Sequence, residues 1–523
     1  MTRFWFHEAS SGRGIPMLRR GSLVLLSVVA VLALGGSGAA APGQPKVAWS
    51  PCHQQFGPFE CGTVQVPLDH DGPTGGTISI AVVRLPASDQ SRKLGSLFLN
   101  PGGPGGSGFD FALFAAPVLF SAEVRARFDI VGFDPRGVIR SSPLRCFGNE
   151  KQWADYFTPF AFPVTDEEEA IWADADRFLV DNCEQRGGRI ASHISTANVA
   201  RDLDLLRQAV GDGKLTYVGY SYGSAIGVQY ANLFPDKVRA VVVDGVLDPI
   251  AWTTGTDNGD TVPMTTRLGS HLGAQATLEE FFDLCDAGTC AFGPSSSDRF
   301  ADLAAELQVD PFPFDYSTLV AGTLRALYDS SSWESFAELL AAVEDAAATG
   351  TALSPGLQAE VKALLERPMW ITKRAFPANY ENFVESFPGV VCADSDNPSS
   401  YAAWSAAADA ATGYFGRFWT WAGSPCAEWY TADEDRFTGP FDRSTANPVL
   451  VVGNLFDPAT PYHGAVAADA LLPSSSLLTV DGWGHTSLFL SQCADAHINA
   501  YLLTAATPPP GTVCTQDFTP FAG

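Results

Sequence analysis

Leu215-Thr216-Tyr217-Val218-Gly219-Tyr220-Ser221-Tyr222-Gly223-Ser224-Ala225 joins an apolar run to a stretch of small residues. Residues 215–218 predict a strand, the following Gly-x-Ser-x-Gly a sharp turn that presents Ser221, and the residues from Ser224 onward a helix. Small residues are needed on both sides of such a serine because the strained turn packs closely against its neighbours. A serine hydroxyl is a poor nucleophile near neutral pH until a base takes its proton and a third group orients that base. The chain has 49 glycines, enough for the five-residue pattern to arise by chance, so its weight rests on strand, helix and partners together.

Outward from this turn, short β-branched or aromatic runs closed by Gly, Asp or Pro predict strands at Ile78–Leu85, Leu97–Asn100, Asp129–Phe133, Leu215–Gly219, Val238–Asp244, Val449–Gly453 and Leu477–Val480. The run Val199–Val210 has helical spacing, with Leu203, Leu206 and Val210 on one face. Strands separated by helices predict an α/β fold with a mostly parallel sheet covered on both sides. The alternation stops near Pro249 and resumes near Pro448. Between them, helical runs such as Trp333–Val343, opened by Ser331 and Glu334 in capping-box spacing, predict a large helical lid inserted between core strands. The expected division is a core over 42–249, a lid over 250–435 and the rest of the core over 436–523.

The partners of Ser221 are sought in the order serine, acid, histidine. The strand ending at Gly453 leads into Asn454-Leu455-Phe456-Asp457-Pro458, and the next strand into Asp481-Gly482-Trp483-Gly484-His485. Asp457 is the expected acid and His485 the expected base. Asp481 is too near His485 in one loop to approach from a neighbouring strand, and His463 and His497 fall at a helix start and within a helical run. Pro101-Gly-Gly-Pro-Gly-Gly-Ser-Gly108 follows the strand Leu97–Asn100, and its missing side chains let backbone N–H groups approach a substrate. The N–H groups of Gly103 and Tyr222 are the expected oxyanion donors.

Composition narrows the partners. With 58 acidic against 32 basic residues, the formal charge of −26 opposes binding to nucleic acid or anionic lipid. Zinc spacings, a phosphate-loop ending and a dinucleotide motif are all missing, so neither a metal nor a cofactor is expected. Arg19 and Arg20 precede an apolar run from Gly21 to Leu34, too short to span a bilayer, followed by small residues through Ala41. Residues 1–41 therefore predict a signal peptide, a secreted, extracellular protein and no membrane attachment after its removal. The ten cysteines fall into sequential couples, Cys52 and Cys61, Cys146 and Cys183, Cys285 and Cys290, Cys392 and Cys426, Cys493 and Cys514. Disulfides within these couples need the least rearrangement of the chain.

The Gly-Gly-Pro-Gly loop, Phe133-Asp134-Pro135-Arg136-Gly137, Gly219-Tyr-Ser-Tyr-Gly223, Gly453-x-x-x-Asp457-Pro458-x-Thr460-Pro461 and Gly482-x-Gly-His485 together resemble the secreted bacterial tripeptidyl aminopeptidases, α/β-hydrolases of the proline-iminopeptidase group. The resemblance spans nearly the whole mature chain. It departs at Asn100-Pro101, where that group commonly has His, and at Ile139, where Gly is usual. It implies a serine exopeptidase that releases short peptides, tripeptides foremost, from free N-termini; the protein is expected to act as a monomer. A lid carboxylate is the simplest anchor for the substrate ammonium; of Asp257, Asp260, Glu279, Glu280 and Asp394, the one beside a cysteine, Asp394, is the expected anchor. Trp404, Trp419, Trp421 and Trp429 are expected either in the lid core or along apolar subsites. The same triad also suits a carboxylesterase of small acyl esters, and a catalytically inactive binding protein of this fold is the third reading.

Overall fold

The computed structural model describes residues 45–72, 75–366 and 382–522; the expected signal peptide, residues 1–41, lies outside them. Ten strands form one sheet: β1 (Ser50–Pro51), β2 (Glu60–Pro67), β3 (Thr77–Leu85), β4 (Gly95–Asn100), β5 (Phe128–Phe133), β6 (Leu215–Tyr220), β7 (Val238–Asp244), β8 (Val449–Phe456), β9 (Ser475–Trp483) and β10 (Val513–Thr515). Their order is β1-β2-β3-β5-β4-β6-β7-β8-β9-β10. From β5 to β10 every pairing is parallel, whereas β1, β2 and β3 extend the sheet antiparallel. The mid-sheet strands are apolar at successive positions because helices cover both faces. Val241 and Val243 enter the core on one side, and Ala240 and Val242 the core on the other. The chain reverses its direction of travel across the sheet between β4 and β6, which puts their carboxyl ends side by side, Asn100 opposite Gly219. Ligands of open α/β sheets bind at such a crevice.

Between β7 and β8 the chain leaves the sheet for a set of helices from Pro249 to Trp421, with their own core around Phe281, Leu324, Trp333 and Leu340. A second insert, absent from the sequence expectations, joins them: the helix Asp166–Arg186, between β5 and the helix Thr196–Ala209, binds the first through Trp172 Nε1 to Ser424 Oγ at 2.9 Å and Ser424 Oγ to Asp176 at 2.5 Å. It is acidic on its first turn and buries few apolar residues, so periodicity alone does not reveal it. It also holds a true capping box, Thr165 with Glu168. The capping box expected at Ser331 and Glu334 does not form. Asp329 instead accepts from Ser331 N and Oγ in a short 3₁₀ turn, and the helix Trp333–Thr349 follows from Ser332 without a side-chain cap. With its hydroxyl given to Asp329, Ser331 does not cap the helix, and Ser332 occupies that position instead.

All ten cysteines are joined, in the couples 52–61, 146–183, 285–290, 392–426 and 493–514. Cys146–Cys183 closes 37 residues and is fully buried, fastening the second insert to the sheet. Replacing both cysteines by Ala is expected to cost about 3–4 kcal/mol, read as a fall in the urea midpoint. An unchanged midpoint would show that this bridge does not constrain the fold.

Candidate active site

Ser221 stands between β6 and the helix Tyr222–Leu233 at φ 56°, a left-handed conformation costly for a side-chain-bearing residue. Its N–H donates to the Asp244 carbonyl at 2.8 Å and its carbonyl accepts from Ser224 N at 2.8 Å, which hold the turn shut. The flanking glycines are required by contact. A Cβ on Gly219 would lie 2.2 Å from the Gly223 carbonyl oxygen, and one on Gly223 would lie 2.8 Å from that of Asn100.

The glycine loop after β4 leans onto this turn. Gly102, at φ 95°, could not carry a Cβ, which would sit 2.5 Å from the Tyr220 carbonyl oxygen and 2.8 Å from Tyr222 N. Asn100 Oδ1 accepts from Gly102 N at 2.9 Å and fixes the start of the loop. Asp134, buried at the end of β5, accepts from Ser107 Oγ at 2.5 Å and from Phe109 N at 3.2 Å and anchors the loop's far end. Gly103 and Tyr222 both line one cavity with Ser221 and His485.

Asp457 follows β8 and His485 follows β9, after an irregular register between Asn454 and Phe456. His485 Nδ1 lies 2.9 and 3.0 Å from the two Asp457 oxygens. Asn454 Nδ2 holds the histidine loop by donating to the carbonyls of Gly484 at 3.0 Å and Thr486 at 2.5 Å. Asp457 is 1% exposed and accepts further from Ala459 N, Thr460 N, Thr460 Oγ1 and Thr486 N, all at 2.8–3.0 Å. Burial alone would raise its pKa, but the His485 charge and these donors outweigh it and hold the carboxyl below its ordinary value. Tyr328, from the helices between β7 and β8, packs edge-on to the imidazole at 4.8 Å between centroids, and its carbonyl accepts from His485 N.

A second carboxylate stands close behind. Asp244, at the end of β7, accepts from Ser487 N at 3.0 Å and Ser487 Oγ at 2.5 Å while its carbonyl holds Ser221 N. Burial pushes its pKa up to about 7, against the lowering by Ser487. Its position at a strand's carboxyl end was readable in the sequence, but the pairing with Ser487 was not.

The remaining candidates separate. Asp481 lies exposed within β9, His463 Nε2 lies 3.1 Å from the Leu268 carbonyl, and His497 sits in the helix Gln492–Thr504. Asp394 does not reach the cavity, which corrects the expectation that it anchors a substrate ammonium. It is 1% exposed, and its oxygens are taken by Thr196 N at 2.8 Å, Thr196 Oγ1 at 2.5 Å and Trp252 Nε1 at 3.0 Å. Burial raises its pKa to about 6 in spite of those donors. Glu280 is likewise engaged, by Trp483 Nε1 at 2.8 Å. Of the four tryptophans, Trp419 lines the cavity, Trp404 and Trp421 form a buried cluster among the inserted helices, and Trp429 packs against the main core.

The cavity has a volume of ≈ 90 Å³, with Trp252, Leu268, Tyr328, Phe383 and Trp419 contributed by the helices between β7 and β8. Among the described residues its lining is apolar apart from hydroxyls and the imidazole, with no carboxylate. Such an arrangement suits acyl transfer: a serine presented on a strained turn, an imidazole oriented by a buried carboxylate, and the glycine loop lining the same cavity.

Comparison with known proteins agrees with this chemistry. Residues 95–263 match the family described as alpha/beta hydrolase fold, and residues 411–514 the family described as TAP-like protein. Serine protease Hip1 of Mycobacterium tuberculosis is 32% identical over 94% of this chain and 95% of its own. Tripeptidyl aminopeptidase of Streptomyces coelicolor is 30% identical over 91% of this chain and 87% of its own. Carboxylesterase B of M. tuberculosis is 31% identical, covering 90% and 91%.

Proposed function

Because the chain belongs to the TAP-like α/β hydrolases and is a serine hydrolase, we propose that it is a secreted exopeptidase that removes short peptides, tripeptides foremost, from free N-termini. The observation that carries this reading is the cavity: inserted helices roof Ser221 and His485 and leave a small, mostly apolar pocket, which favours a chain end over the middle of a polypeptide. Ser221 Oγ attacks the scissile carbonyl carbon as His485 Nε2 takes its proton, and Asp457 holds the Nδ1–H and stabilises the imidazolium. The N–H groups of Gly103 and Tyr222 receive the oxyanion. Collapse breaks the C–N bond, His485 returns the proton to the leaving amine, and water then hydrolyses the acyl-enzyme by the same steps. The five disulfides and the leader-like residues 1–41 support export, and the protein works as a monomer on peptide substrates.

With no carboxylate in the described lining, the aromatic side chains of Trp252, Tyr328 and Trp419 are the groups left to receive a substrate ammonium. Desolvated cation–π contact contributes about 2 kcal/mol, so acetylating the N-terminus is expected to lower kcat/KM about thirtyfold. The same apolar lining favours the second reading, a carboxylesterase of small acyl esters. Assays on free and acetylated peptides of graded length, with acyl esters in parallel, separate the two. Equal cleavage of free and acetylated peptides, or faster turnover of esters than of any peptide, would replace the exopeptidase with the esterase.

A further inference from the structure

Asp394 ends the helix Phe383–Asp394, two residues beyond the Cys392–Cys426 bridge, and its carboxylate serves two groups at once. One oxygen accepts from Trp252 Nε1 at 3.0 Å and from Thr196 Oγ1 at 2.5 Å, and the other from Thr196 N at 2.8 Å. Thr196 Oγ1, having given its proton to Asp394, accepts from the Tyr222 hydroxyl at 2.7 Å. The rings of Tyr222 and Trp252 pack together at 5.7 Å between centroids, and both line the cavity. All four residues are buried, so solvent cannot replace a lost partner.

This chain connects parts of the molecule that are distant in sequence. Asp394 and Trp252 come from the helices between β7 and β8, Thr196 begins the helix Thr196–Ala209, and Tyr222 is the residue next to Ser221. Trp252 lines the cavity while its Nε1–H is held by Asp394, which restricts how the indole can turn. Tyr222 has its hydroxyl fixed behind the turn and its backbone N–H beside Ser221. A buried carboxylate at the N-terminus of the helix Thr196–Ala209 is also favourably placed, because Thr196 N is one of that helix's orphan donors.

We propose that Asp394 is a positioning residue for substrate selection: it fixes the Trp252 indole directly and the Tyr222 phenol through Thr196, so that bulky apolar groups next to the scissile carbonyl meet a rigid wall tied to the inserted helices. The proposal rests on the reading of the Ser221 cavity as the substrate site. A small acyl group does not fill the cavity as far as that wall and depends on it less, whereas a leucine- or phenylalanine-sized group depends on it fully. Loosening the wall therefore changes selectivity, and it acts through KM more than through kcat, since a wall contact exists in the bound substrate as well as in the transition state.

The test uses the mature protein and the variants Trp252→Phe, Asp394→Asn and Thr196→Val, each assayed on 4-nitrophenyl acetate and on the 4-nitroanilide or peptide of a bulky apolar residue. Rates are expressed per site labelled by a fluorophosphonate probe, which counts only folded, reactive serine. Trp252→Phe keeps a ring in the wall and every Thr196 bond, so it folds even where an Asp394 variant does not. The expected result is a fall of at least about tenfold in the ratio of bulky to small kcat/KM for each labelled variant, carried mainly by KM. An unchanged ratio, with both substrates losing equally per labelled site, would reduce Asp394 to a fold-supporting residue and overturn the proposal. Failure of the unaltered protein to take the probe at Ser221 would instead overturn the reading of the cavity, and the proposal with it.

Discussion

Ser221→Ala is expected to lower kcat by about 10⁴- to 10⁶-fold, leaving the residue of catalysis that substrate binding and oxyanion donors supply without a nucleophile. The fold should survive. Alanine keeps the Cβ, the turn's hydrogen bonds run through the backbone of residues 221, 224 and 244, and φ 56° is no worse for Ala than for Ser. Thermal unfolding should therefore move by no more than a surface substitution does, about 0.5 kcal/mol. Peptide mapping after treatment with a fluorophosphonate should recover the label on Ser221 in the unaltered protein and on no residue of the variant. Substantial turnover by the variant, or a label on another serine, would remove Ser221 from the mechanism.

What made Ser221 legible was steric necessity. A turn that allows no Cβ at Gly219 or Gly223 writes its glycines into the sequence, and strands that run out shortly before Asp457 and His485 announce themselves by apolar runs closed at Asp or Gly. The mostly parallel sheet and the large helical insertion could be read for the same reason: buried strands are apolar at nearly every position, and the alternation of strand and helix breaks at Pro249. Elements with weak periodicity escaped. β2 alternates only over Thr63–Val66, with Val64 and Val66 buried between exposed neighbours, too short a run to stand out, and the helix Asp166–Arg186 hides its buried side among acidic residues. Asp394 was visible as a constrained acid, but its direction was not. Whether a carboxylate faces a cavity or the back of its wall depends on Thr196 and Trp252, residues 198 and 142 positions away along the chain. Thr460 and Asp244 belong to the same class, since their importance lies in contacts with the histidine loop that no local pattern encodes.

Asp457→Asn is expected to lower kcat by about 10⁴-fold with the protein still folded. The carboxylate meets five donors: His485 Nδ1, the backbone N–H groups of Ala459, Thr460 and Thr486, and the Thr460 hydroxyl. An amide must turn its NH₂ toward one set of them. If it faces His485, the imidazole carries its proton on Nε2 and loses the acceptor that Ser221 needs; if it faces Thr460 and Thr486, it confronts buried donors with a donor. Asp481→Asn, exposed on β9, should change kcat by no more than about twofold, consistent with a surface substitution. Asp244→Asn should fall between them, because it loosens Ser487 and not His485 itself. Stability supplies an independent check on Asp457. Its folded pKa is depressed below 3.8, so the stabilisation it provides is present above that pH and is lost as pH falls through the depressed value. Acid titration of unfolding should then show the difference between the unaltered protein and Asp457→Asn shrinking below about pH 4. A larger loss of kcat in Asp481→Asn or Asp244→Asn than in Asp457→Asn, at equal stability, would move the acid of the triad to that residue.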